Sequence, residues 1–246
     1  MKKIKLSPPK IAFEEHIYLE SKKNRTRLSE VILGGQDGLV NVLGVLLGVA
    51  AASNDTRIVV AAGLAATFAE SISMAAVAYT SNIASRDYYL SQLEKEKREI
   101  KEVPEIERKE IELIFKEKGL QGDLLKKVTD VIVSDKKIWL ETMMRDELKL
   151  QPISKGQPLW AALIVGLAAI VGSLIPLIPF IFTSIAVGIY ISVIISALTL
   201  FIIGAVKARL TIGGWVRSGV QMAIIGTVSA LAGYFIGAIF SAPPTI

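Results

Sequence analysis

Apolar residues gather along this chain in five long blocks, about Val31–Ala52, Ile58–Ile83, Leu159–Ile178, Ile181–Val206 and Ser218–Phe240. A helix of about 20 apolar residues crosses the roughly 30 Å of a bilayer's hydrocarbon. The pattern therefore predicts an all-α membrane protein with five transmembrane helices. Polar punctuation separates the blocks. Ser53-Asn54-Asp55-Thr56-Arg57 joins the first two, and Pro176 and Pro179 are read as the turn between the third and fourth. The stretch from Lys207 to Arg217, broken by Gly213-Gly214, links the last two. Between the second and third spans the pattern becomes polar but stays helical. Asp87 to Val103 has no breaker, Pro104 suits the first turn of a helix running to about Lys118, and Gly119 ends it. Asp123–Ser134 and Asp135–Leu150 complete a helical subdomain that stops before Pro152. Ile11–Leu28 mixes apolar and charged residues, as expected of an interfacial amphipathic helix. The predicted organisation is a basic segment over 1–30, spans 1 and 2 over 31–84, the helical subdomain over 85–157, and spans 3 to 5 over 158–246.

Composition sharpens this picture. The chain is 52% hydrophobic yet 21% charged, which requires that the charges be segregated. Between Leu159 and Ile246 the only charged side chains are Lys207, Arg209 and Arg217, whereas Ser85 to Lys155 carries 16 basic and 16 acidic residues. The pI of about 9.3 thus arises in segments flanking the membrane, and no nucleic-acid partner is expected. Lysine and arginine mark the cytoplasmic side of a span. They crowd the segment before the first span (Lys2, Lys3, Lys5, Lys10, Lys22, Lys23, Arg25 and Arg27) and the last inter-span loop, while the opposite side has only Arg57. The N-terminus and the helical subdomain are therefore expected in the cytoplasm, and the C-terminus outside or in a lumen. The lysine-rich start lacks an adjacent apolar core, so no cleavable signal is expected. Cysteine is absent, which removes thiolate metal sites and disulfides. The single histidine, His16, cannot build a histidine-rich metal site.

A few polar residues stand where they are expensive. Asp37 lies inside the first span in Gly34-Gly35-Gln36-Asp37-Gly38, with Asn41 one turn later on the same face. A carboxylate at that depth costs several kcal/mol unless it is paired, hydrated or bound to a cation. Close helix packing would explain the glycines but not the aspartate. The second span carries Glu70 and, four residues on, Met74. Oxygen ligands alone suit Mg²⁺ or Ca²⁺, and adding a thioether favours softer transition ions. In the subdomain, Glu96 and Glu99 share one helical face and Glu107 and Glu110 repeat the spacing, followed by Met143-Met144 and Glu147. These glutamates would suit a divalent ion, but among so many Glu and Lys a solvated, salt-bridged surface is the favoured explanation of the spacing alone.

The ordered set of motifs resembles the vacuolar iron transporter family. Glu30 with Gly34-Gly35-Gln36-Asp37-Gly38-Leu39-Val40 is similar to that family's first-span entry, and Ile72-Ser73-Met74-Ala75-Ala76, Tyr79 and Ser85-Arg86-Asp87-Tyr88 to its second span. Glu96-x-x-Glu99, Val103-Pro104, Glu107-x-x-Glu110, Trp139 and Met143-Met144-x-x-Glu147-Leu148 follow in the family's order from about Arg27 onward. The resemblance implies a five-span homodimer in the lipid bilayer that exports cytosolic Fe²⁺, or Mn²⁺ as in some members, in exchange for protons, with Co²⁺ and Zn²⁺ left open as the ion. Asp37 and Met74, with Glu70 and Asn41 nearby, would line the path. Glu96, Glu99, Glu107, Glu110, Met143, Met144 and Glu147 would bind metal in the cytoplasmic subdomain. The membrane would be the vacuolar one in a eukaryote and the cell membrane in a prokaryote. One departure is Ala78, where many members carry a glutamate four residues after the methionine; either Glu70, four residues before the methionine, takes over part of that role or the ion path differs. An intramembrane enzyme finds no support, since no His-Glu-x-x-His, Asp-rich or phosphate-loop motif occurs. A membrane-anchored metal sensor or store and a Mn²⁺-preferring exchanger stay open.

Overall fold

The computed structural model describes residues 9–53, 55–210 and 213–240, with side chains from Arg27 onward. Every regular element among them is helical: α1 (Pro9–Ala52), α2 (Thr56–Glu102), α3 (Pro104–Glu117), α4 (Gly122–Ser134), α5 (Lys136–Thr142), a π-helical turn (Met143–Glu147), α6 (Gln157–Phe182), α7 (Ile185–Leu210) and α8 (Trp215–Ile239). Five helices (α1 from Arg27, α2, α6, α7 and α8) are long and apolar enough to cross a membrane. Their surfaces bear large apolar side chains in the open, including Phe182, Tyr190, Ile72 and Ile239. An exposed apolar surface of that extent belongs against lipid, not water. The chain is an integral membrane protein.

Three boundaries differ from the sequence expectation. Pro176 and Pro179 do not turn the chain; both lie inside α6. Membrane helices tolerate proline where neighbouring hydroxyls and packed helices serve the disturbed backbone. Ser192 Oγ of α7 donates to the Pro176 carbonyl at 2.6 Å, and Thr183 Oγ1 donates to that of Pro179 at 2.8 Å, hydroxyl bonds that tie down the proline-bearing end of α6 without replacing the N–H groups the prolines lack. The break falls instead at Thr183-Ser184. Second, the span ending near Ile83 and the helix beginning near Asp87 are one helix, because no Gly or Pro lies between Ile83 and Val103. Third, the helix expected over Asp135–Leu150 stops at Thr142 and passes into the π turn. The backbone is helical from Pro9. The proposed amphipathic face of Ile11–Leu28 and His16 concern side chains outside the described ones, and Lys2, Lys3 and Lys5 lie outside the described residues.

The chain forms two compact units, residues 1–79 with 159–246, and residues 80–158. In the first, glycines let helices approach backbone to backbone. A Cβ on Gly34 or Gly38 would strike the carbonyls of Val165 or Ala169 in α6. Gly48 meets Gly233 on α8, where an added Cβ would sit 2.9 Å from the carbonyl oxygen, and Gly44 and Gly237 complete the seam. The Gly44/Gly48 and Gly233/Gly237 pairs thus pack one chain's own α1 against its own α8. Around them Val42, Leu43, Leu46, Val59, Leu177 and Phe180 form the core.

The second unit is built from short capped helices. Pro104 opens α3 at its first position, and Gly119, at φ +95°, closes it, with Leu120 N–H donating to the Phe115 carbonyl at 3.1 Å. Asp135 caps α5 by accepting from the N–H groups of Lys137 (2.8 Å) and Ile138 (3.3 Å). Ile100, Ile111, Ile132, Trp139 and Met143 make its core.

Candidate metal sites

Inside the membrane unit, α1 is pressed onto α6 by Gly34 and Gly38, which fixes the helix face that carries Asp37 between them in sequence. From α2, the Glu70 carboxyl group lies within hydrogen-bonding reach of both Asp37 and Asn41. Three of the four expected path residues therefore converge. Ionised carboxylates only accept hydrogen bonds, so two side by side need a proton or a cation between them. Met74, one turn beyond Glu70 on the same helix, is half-buried. Asp37 and Glu70 are half-buried too, and Asn41 is exposed on the isolated chain.

In the other unit, Glu96 and Glu99 from α2 meet Glu107 from α3, with one carboxylate oxygen from each lying within 4.8 Å of the others. Glu96 is 2% and Glu107 3% exposed, so two acids stand in the interior. Glu107 Oε2 is buried without a hydrogen-bond partner. Burial, and then the charges of Glu110, Glu96, Glu99 and Glu147, push the Glu107 carboxyl up to about 7. Burial followed by Glu110 and Glu96 does the same to Glu147, also to about 7, against the opposing pull of Lys95. Burial likewise raises Glu96. Five glutamates thus share one field. Buried carboxylates with an orphaned oxygen fit a hard or borderline divalent cation, which would replace mutual repulsion with attraction.

The π turn places the last predicted residues. Leu148 N–H donates to the Met143 carbonyl at 3.1 Å, five residues back, and Leu150 N–H to that of Met144 at 2.8 Å; Lys149 adopts φ +55° to end the helix. The extra residue in the turn shifts the register by which Met144 and Glu147 face the rest of the unit. Met144 is 3% exposed, and Met143, fully buried, packs in the apolar core with Ile111 and Trp139. One residue escaped sequence reasoning. Lys95 Nζ stands 3.1 Å from Glu99 Oε2 and 3.8 Å from Glu96 Oε1. Its only sequence signal was the i,i+4 spacing to Glu99, which is common on any charged helix.

The sequence profile of the VIT family matches residues 28–238. The chain is similar to "Vacuolar iron transporter 1" of Tulipa gesneriana, 31% identical over 233 residues that cover 93% of this chain and 94% of that protein. It is 34% identical to "Vacuolar iron transporter 1" of rice over 206 residues, 83% of this chain and 82% of the relative. To "Protein CCC1" of Saccharomyces cerevisiae it is 27% identical, over 85% of this chain and 67% of that protein.

Proposed function

The chain belongs to the VIT family, a family of transporters and not of enzymes, and from that membership we propose that it carries a divalent transition-metal ion, Fe²⁺ foremost, out of the cytosol in exchange for protons. The observation that carries this reading is the meeting of Glu70 with Asp37 and Asn41 inside the membrane unit. An anchor for a sensor or store has no need of two carboxyl groups placed together in hydrocarbon, where each is costly. A carrier of cations and protons does. A carboxylate must lose its proton before it ligates a metal, so the two cargoes compete for the same oxygens. If opposite sides load the pair alternately, exchange follows without a nucleotide. Met74 supplies the softer ligand that favours Fe²⁺ over Mg²⁺ or Ca²⁺.

In this reading the unit of residues 80–158 is cytoplasmic, and Glu96, Glu99, Glu107, Glu110 and Glu147, with Met144 and Met143, collect the ion that the path receives. Met143 acts there chiefly through packing, since it belongs to the apolar core. A homodimer would cover Asn41, which is exposed on one chain, and bring two copies of Asp37 and Met74 to one ion. Mn²⁺, Co²⁺ and Zn²⁺ share the ligand chemistry and are the competing cargoes.

The test is Fe²⁺ flux in sealed proteoliposomes of the purified protein, with and without an imposed pH gradient, beside Asp37→Ala. Uptake that rises with the gradient and vanishes in the variant supports the exchange. Saturable Fe²⁺ binding without flux would convert the protein into a membrane-anchored metal store.

A further inference from the structure

Lys95 is set apart from the other basic groups of its unit by its partners. Among the described ion pairs, Lys97 goes to Glu94, Arg108 to Asp130, and Lys118 and Arg145 to Asp146, all carboxylates outside the glutamate cluster. Lys95 alone enters it, touching Glu99 and Glu96, with Glu147 as the next carboxylate in its field. Glu99 and Glu96 are also two of the three residues whose oxygens lie within 4.8 Å of one another. An ammonium is a compact point charge with three donors, and it seeks the same lone pairs as a divalent cation. Its stem is half exposed, 47%, so the head can swing into water while the methylenes stay against the helix.

From this geometry we propose that Lys95 is a tethered counter-ion that occupies part of the cation position among Glu96, Glu99 and Glu107 and leaves it when a divalent ion binds. The inference rests on the reading of this cluster as a metal-collecting site. In the absence of metal the ammonium offsets part of the repulsion among five glutamates and keeps the carboxylates gathered. When the ion arrives it must displace the lysine and tolerate a positive charge nearby, so affinity is held down. A transporter gains from this, because an ion bound too tightly is never handed on. Lys95 is a positioning residue for the carboxylates and sets how strongly they bind.

The experiment is Mn²⁺ titration calorimetry on the full-length detergent-solubilised protein in an Asp37→Ala background, so that only the glutamate cluster is read. Lys95→Gln is expected to tighten Mn²⁺ binding about three- to tenfold, the size of one unit charge acting on a divalent ion across several ångströms of water once physiological salt has screened it. Lys95→Arg, which keeps the charge, should bind within about twofold of the parent, as should Lys97→Gln, whose charge serves Glu94. A second readout needs no substitution at the site: covalent acetylation of Lys95, followed by mass spectrometry, should at least double on adding Mn²⁺ while Lys97 is unaffected. Lys95→Gln binding that equals or falls below the parent, together with unchanged labelling, would overturn the proposal and leave Lys95 a plain surface pair. Glu107→Gln separates the two levels. If that variant loses Mn²⁺ binding, the cluster is the site and the lysine result stands or falls alone; if it titrates like the parent, the metal reading of the cluster fails and takes this inference with it.

Discussion

The two carboxylate sites of this protein solve opposite problems. In the membrane unit, two acids from different spans meet beside an asparagine, on a backbone packed glycine against carbonyl. In the charged unit, five glutamates crowd together, and among the described ion pairs Lys95 alone reaches them. The first site is poor in charge and rigid, so each carboxyl group is decisive. The second is rich in charge, so its members share one proton and cation economy, and removing one shifts the rest. Scarcity favours a gate; abundance favours a reservoir.

The largest effect expected from this contrast is at Glu70. Glu70→Gln should lower Fe²⁺ flux about 100-fold or more, with cluster binding of Mn²⁺ intact by calorimetry; flux near the parent level would remove Glu70 from the path. Returning a carboxylate at the family's position, in the double variant Glu70→Gln with Ala78→Glu, sharpens the point. Partial recovery of flux would mean that the acid has migrated along one helix with its role conserved.

Glu107 comes next. Glu107→Gln should weaken cluster binding of Mn²⁺ about tenfold or more while flux at saturating Fe²⁺ falls far less than in Glu70→Gln. Equal losses in both assays would erase the distinction between reservoir and gate.

A pH test sets the two units apart without substitution. Free glutamate in an unfolded chain titrates near 4.3, whereas Glu107 and Glu147 stand at about 7 because of burial and neighbouring carboxylates. The folded unit therefore holds protons that the unfolded chain releases. Its metal-free stability is full below about pH 4.5, falls as pH rises, and is lost as a contribution above about pH 7. Hydrogen exchange of residues 104–147, corrected for intrinsic rates, should show weaker protection at pH 7.5 than at pH 5.5. Mn²⁺ should restore it at pH 7.5 and do little at pH 5.5, where protons occupy the oxygens. Protection that rises with pH would contradict the assignment.

The smallest effect concerns helix caps. Asp135→Ala removes the acceptor for the N–H groups of Lys137 and Ile138 and should cost about 1 kcal/mol in the charged unit, with flux within twofold of the parent. Gly38→Ala in the membrane unit should do more, because its Cβ would strike the Ala169 carbonyl of α6; a thermal midpoint lowered by several degrees is the expected reading.

How much was legible from sequence differs between the sites for a physical reason. A lone Asp37 among apolar residues is conspicuous because the membrane penalises it, and one turn to Asn41 follows from helical geometry alone. Glu96, Glu99 and Glu107 were not separable from Glu94, Glu102, Glu105 or Glu112 by spacing, since water tolerates all of them. Only the resemblance to a family singled them out. Lys95 had no distinguishing mark at all, because an ion pair at i,i+4 looks the same on a solvated surface as beside two buried acids.

Sequence by itself determined the five apolar helices, the lack of cysteine chemistry, the segregation of charge and the helical ends marked by Pro104 and Gly119. Each is a local matter of hydrocarbon thickness, backbone freedom or composition. Tertiary structure alone decided the rest. Pro176 and Pro179 became helix interior, with the Pro176 carbonyl tied to the Ser192 hydroxyl of α7. The glycine pairs of α1 and α8 became a seam within one chain, and Glu70 found Asp37 because close packing set one span's face against another's. Glu107 was drawn into the interior beside Glu96 by the apolar core of its unit. Burial and the distance between charges are properties of the packed fold, and no pattern along a single chain contains them.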